Sequence, residues 1–109
     1  MSVRLFTGAL LLALSSTAPG QTFDVPAELW DRPRSAAAVA GEESLKRAVG
    51  ALLALPDARF VIHHAAGHEP LLQAEELKSW LAALAIDPRR IILRNDLVPG
   101  ATLKVEVTP

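Results

Sequence analysis

Residues 59–93 read RFVIHHAAGHEPLLQAEELKSWLAALAIDPRRIIL, and the change of hydrophobic period along them decides the fold class. Phe60, Val61 and Ile62 form a short β-prone run bounded by turn residues, which fits a strand buried on both faces. Ala65–Pro70 reads as a loop, with Pro70 suited to open the next helix. Ala74, Leu77, Leu81 and Leu84 then recur at helical spacing, with Trp80 flanking the stripe and Glu75, Glu76 and Lys78 facing water. Asp87-Pro88 ends that helix, and Ile91-Ile92-Leu93 is a second continuous apolar run. The stretch is a strand, a helix and a strand.

The same logic extends in both directions. Leu45, Ala48, Val49, Leu52 and Leu53 make one apolar stripe of an amphipathic helix, with Lys46 and Arg47 on its wet side. Glu42, Glu43 and Ser44 sit where the helix dipole favours negative charge and a Ser can cap free amides, and Pro56-Asp57 closes the helix. Upstream, Phe23, Val25, Leu29 and Trp30 are interrupted by Pro26, as in an edge strand or an extended arm. Asp31–Arg34 is a charged turn, and the Ala run at 36–38 is a loop or an early helical turn. Downstream, Pro99-Gly100 marks a turn. Leu103, Val105 and Val107 then alternate with Lys104 and Glu106, predicting a half-exposed edge strand over Thr102–Val107. The order predicts an α/β two-layer sandwich, β-α-β-α-β followed by one more strand. Right-handed crossovers put both helices on one face of a small mixed sheet.

With 109 residues, half of them hydrophobic and 21% charged, the chain is sized for one small domain. Eleven basic against twelve acidic side chains leave a formal charge of -1, too little positive field for nucleic acid. The absence of Cys excludes disulfides, thiolate catalysis and a lipid-modified cysteine. Arg4, the apolar run Leu5–Leu14 and the small polar stretch SSTAPG have the order of a secretory signal peptide. The run is about ten residues long, against about twenty needed to span a bilayer. With Ala18 and Gly20 at the -3 and -1 positions, cleavage frees Gln21. The expectation is a signal peptide over 1–20, then one exported domain over 21–109, periplasmic and without a stable membrane anchor.

Candidate chemistry is sparse. His63 and His64 point to opposite faces of a strand and cannot share an ion there; His64, His68 and Glu69 could make a zinc set, but the HExxH arrangement is absent. The expected reading is hydrogen-bonded or solvated histidines, with no metal and no cofactor. Ser35, Ser44 and Ser79 lack a nucleophile-elbow setting, and Glu42-Glu43 and Glu75-Glu76 suit solvated helix faces, so no catalytic residue is assigned. Arg32, Arg34, Arg89 and Arg90 form either a patch for an anionic wall polymer or a solubilising fringe. Trp30 and Trp80 are expected to be structural.

The segment Ala74-x-x-Leu77-x-x-x-Leu81-x-x-x-Ala85-Ile86-x-x-x-Arg90-Ile91 resembles the second helix and following strand of the OmpA-like peptidoglycan-binding domain of Gram-negative envelopes, which reads R-A-x-x-V-x-x-x-L and runs into G-I-x-x-x-R-I. Leu52–Ile62 resembles that family's first helix passing into its second strand, and Trp30-Asp31 lies where the family often has Phe-Asp. The resemblance covers about residues 22–107. It implies a site in which an Asp of a G-H-T-D turn grips the diaminopimelate of the peptide stem and an Arg pairs its carboxylate. Here no Asp follows His64 within Ala65–Pro70, Gln73 stands in place of the Arg, and the loop is shorter.

Losing both charge-assisted contacts implies a non-enzymatic envelope domain, a structural or protein-interaction module that has lost its peptidoglycan clamp. The alternative is a peptidoglycan or glycan binder with a rebuilt site, using His64, His68, Gln73 and Arg90 at the mouth left by the shortened loop; a third is a His-based metal-binding protein. The expected partners are an envelope protein or peptidoglycan. The strand at 102–107, which the resemblance places outermost, is also expected to offer an edge for a dimer or an added partner strand.

Overall fold

The computed structural model describes residues 20–109. The signal-peptide reading falls almost wholly on residues 1–19 and lies outside the described residues. The elements in order are β1 (Gln21–Asp24), a 3-10 turn (Ala27–Asp31), α1 (Ala36–Gly41), α2 (Glu43–Leu53), β2 (Arg59–Ala65), α3 (His68–Ala83), a 3-10 turn (Pro88–Arg90), β3 (Ile91–Leu97) and β4 (Lys104–Thr108).

Local chemistry sets most boundaries. The Ala run becomes helix α1 because Ser35 caps it, its hydroxyl accepting the Ala38 amide at 3.1 Å. Helix α2 is capped by a carboxylate rather than by a serine: Glu42 accepts the amides of Ser44 and Leu45, and the Ser44 hydroxyl donates to the same oxygen. Helix α3 starts at His68, two residues before Pro70, so His68 and Glu69 belong to its first turn and not to a loop. It ends in a Schellman motif. The Ile86 amide reaches the Leu81 carbonyl and the Ala85 amide that of Ala82, both at 3.0 Å, with Ala85 at φ +76° and Ile86 buried against the core.

The four strands form one mixed sheet in the order β1-β4-β2-β3. β2 and β3 are parallel, and β4 runs antiparallel to both of its neighbours. The crossovers from β1 to β2 and from β2 to β3 both advance in the same direction across the sheet, so right-handed connections place the helices on one face, as expected. Phe60, Ile62, Val105, Val107 and Ile91 on that face meet Leu45, Ala48 and Leu52 of α2 and Ala74, Leu77 and Leu81 of α3 in one core.

The last strand corrects the sequence reading. β4 is not at an edge but lies between β1 and β2, with Val105 paired to Phe23 on one side and Ile62 on the other. Its alternation reported correctly that one face is wet, since Lys104 and Glu106 face away from the helices. It carried no information about hydrogen-bonding neighbours, and docking at a β4 edge is ruled out. The edges are β1 and β3. Among the described residues no helix is long and apolar enough to cross a membrane.

Candidate functional site

β1, β2 and β3 all finish at the end of the sheet where β4 begins, and open α/β sheets characteristically place ligand sites outside the carboxyl ends of their strands. A groove of about 290 Å³ lies there. Trp30 and Asp31 of the first 3-10 turn, Glu69 and Gln73 of α3, and the connection Gly100–Leu103 line it. Two backbone features shape it. Gly67, at φ +120° and ψ 164°, lets α3 start immediately after β2 in a conformation that an L side chain resists. Pro99-Gly100 closes a turn in which Gly100 sits at φ +85° and the Ala101 amide meets the Val98 carbonyl at 3.1 Å.

The groove is polar and carries no basic side chain. Asp31 and Glu69 are exposed and form no ion pair among the described residues. The arrangement therefore presents carboxylates, the Gln73 amide, the Thr102 hydroxyl and an indole to an incoming group. Such a lining suits an ammonium and its neighbouring amides.

The four residues expected at this mouth separate. Gln73 lines the groove, and His68 stands exposed at the start of α3. His64 is turned into the helix face at 5% exposure, its Nδ1 donating to the Ala65 carbonyl at 2.9 Å. Arg90 lies at the other end of the sheet. The ladder pairs Phe60 with Ile91 and His64 with Asn95, four residues further on, which is about 13 Å of strand. There Arg90 donates to the carbonyls of Ala58 and Leu55 at 2.9 Å and Leu52 at 3.3 Å, closing the carboxyl end of α2. It is a structural clamp rather than a groove residue.

The other arginines of the supposed basic patch are also engaged. Arg34 pairs with Glu76 and lies 5.4 Å from the Trp30 ring centre, fixing that indole beside the groove. Arg89 pairs with Asp87 at 2.8 Å, and its side-chain and backbone hydrogen bonds hold the Asp87 carboxyl down at about 2. Trp80 packs on the core and donates Nε1 to Glu76 at 3.0 Å.

His63 and His64 do point to opposite faces. On the helix-free face, His63 meets Asp96 through Nδ1 at 2.8 Å and Glu106 through Nε2 at 2.9 Å, tying β2 to both neighbouring strands. An imidazolium donates to both oxygens, so this contact is complete without any further ligand. Among the described residues no three His, Cys, Asp or Glu side chains converge as a metal set. A second, apolar groove of about 370 Å³ runs over the helices, lined by Val39, Leu45, Val49, Leu53, Leu81 and Leu84.

Asp31 and Glu69 are the residues that sequence reasoning left out of the ligand-binding site. Asp31 was visible as the second residue of the Trp30-Asp31 pair where the resemblance has Phe-Asp, and Glu69 was weighed only as a metal ligand. No protein-family model, curated protein or solved structure matches the chain.

Proposed function

We propose that this chain is a non-enzymatic, exported cell-envelope module that binds an amine-bearing peptide, such as the stem of peptidoglycan, in the groove beside α3. The observation that carries this reading is the placement of two carboxylates without an ion-pair partner, Asp31 and Glu69, with Gln73 and Trp30 in one groove. Two carboxylates supply the contact to an ammonium that the missing turn Asp would have made, from new positions. No guanidinium replaces the Arg that Gln73 displaces, so the ligand's amine and amides, not its carboxylate, are what the site recognises. The resemblance to an OmpA-like domain supports the same class of ligand. The groove's side chains offer an acceptor-rich surface rather than a nucleophile with its base and anion site, which supports binding over catalysis.

Retention on purified sacculi tests the proposal. The protein should be retained above a control of similar size and charge, and Asp31→Asn, Glu69→Gln and Gln73→Ala should each reduce retention while the fold stays intact. Absence of retention overturns the peptide-stem reading and leaves a structural or protein-interaction role.

A further inference from the structure

We infer that two copies of this chain pair through the outer edge of β3, antiparallel about a twofold axis at Asn95. Among the described residues β3 has a single ladder partner, β2, so the backbone groups on its other side face no strand. Arg94, Asn95 and Asp96 are exposed, and Val98 just beyond them is 72% exposed. The opposite edge, β1, has only four residues and offers a much shorter template.

The side chains select the partner and the register. A twofold axis perpendicular to the sheet places paired residues on the same face, so each register is centred on one residue. Ile92 and Arg94 share the helix-free face with Val61 and His63, and Asp96 reaches the His63 ring on that face. Centring on Arg94 sets that cation against its own copy and Ile92 against Asp96. Centring on Asp96 sets carboxylate against carboxylate, and centring on Leu93 sets Ile92 against Arg94. Centring on Asn95 brings Arg94 opposite Asp96 of the second copy, Leu93 opposite Leu97 and Ile92 opposite Val98, each pair formed twice.

An unrelated apolar strand would leave Arg94 and Asp96 facing unmatched groups, which is how edge charges ordinarily deter pairing. Self-pairing satisfies both. The ladder to β2 skips from His64–Asn95 to Ala65–Leu97, making Asp96 an additional residue on β3. The twofold puts the same addition in both strands, so pairs counted outward from Asn95 stay in step. A single strand pair buries little surface, and the dimer is correspondingly weak and concentration-dependent.

Sedimentation over a wide concentration range, combined with charge exchange, tests the inference. Arg94→Asp alone and Asp96→Arg alone should each weaken self-association by about ten-fold or more, through like charges set opposite. An equimolar mixture of the two variants should recover it, because each then meets the other's opposite charge. Since Asp96→Arg also removes a contact to His63, cross-linking provides a second measurement. The chain has no cysteine, so Asn95→Cys can form a disulfide only through that position. It should oxidise to a covalent dimer at least about ten-fold faster than Glu75→Cys on exposed α3, because pairing raises the effective thiol concentration. A monomer at every concentration, no recovery on mixing, or equal oxidation rates overturns it. None of these positions lines the groove, so dimerisation and ligand binding stand or fall separately.

Discussion

Arg34 grips Glu76 through two parallel hydrogen bonds, Nε to Oε2 at 2.7 Å and Nη2 to Oε1 at 3.0 Å. The two residues lie on different elements, and the pair fastens the arm that carries Trp30 and Asp31 onto α3. Bidentate geometry distinguishes it from an ordinary surface ion pair.

Breaking that pair should loosen the arm. Arg34→Ala is expected to lower the melting temperature by about 2–5 °C and to reduce sacculus retention, since Trp30 loses its stacked partner. The contact is also pH-dependent. Arg34 chiefly holds the Glu76 carboxyl below the ordinary carboxylate range; desolvation opposes this, and the Trp80 N–H assists it. A carboxylate depressed in the folded state adds stability that is present above its unfolded pKa and lost as pH falls through the folded value. The melting-temperature gap between the native chain and Glu76→Gln should therefore be widest near neutrality and shrink toward about pH 3. A gap unchanged by acid would show that the carboxylate contributes nothing through its charge.

Ala85 and Gly67 make opposite predictions. Ala85 sits at φ +76° in the Schellman motif that ends α3, where the resembled family has Gly. Ala85→Gly relieves about 1–2 kcal/mol of left-handed strain and loses about 0.4–1 kcal/mol through a more flexible unfolded chain. The net gain should be about 0.5–1 kcal/mol in urea unfolding. Gly67→Ala, at φ +120°, should instead cost about 1–3 kcal/mol and displace the start of α3.

Arg90→Ala removes donors from three main-chain carbonyls at the end of α2. A loss of about 1–3 kcal/mol is expected by chemical denaturation. Arg90→Lys should recover only part, because an ammonium cannot span the three acceptors as the planar fork does. Retention on sacculi, measured where both variants remain folded, should not change; a selective loss of binding would return Arg90 to the site.

Ionic strength provides a test of the groove that needs no variant at first. Recognition of an ammonium by exposed carboxylates is screened by salt. Retention should fall steeply between about 0.05 and 0.5 M NaCl, where the Debye length shrinks to a few ångströms. In Asp31→Asn/Glu69→Gln the residual retention should be nearly flat over that range. Salt-independent retention of the native chain would point to apolar contacts instead, and away from the two carboxylates.

The strand-helix-strand passage from Arg59 to Leu93 was legible because period is a local property. Phe60–Ile62 and Ile91–Leu93 are continuous apolar runs, and Ala74, Leu77 and Leu81 recur at helical spacing between them; all are buried where that pattern puts them. Crossover handedness then settled which face the helices cover. Helix α1 was only half legible, because one Ser35 cap decides whether an Ala run closes into a helix.

What the sequence determined by itself was the order of elements and the face that each presents to the core. Tertiary structure alone decided which strands are neighbours and which polar residues meet. Lys104 and Glu106 give β4 the same alternating pattern whether it lies outside or inside the sheet, because side-chain alternation records the two faces of a strand and never its two edges. Arg90 and Gln73 stand near each other in an expected list of site residues, yet they occupy opposite ends of the sheet, while Asp31 and Glu69 meet across one groove from separate elements. Side-chain chemistry is written along the chain. Proximity is set by strand order, which follows from burying all the apolar faces in one shared core.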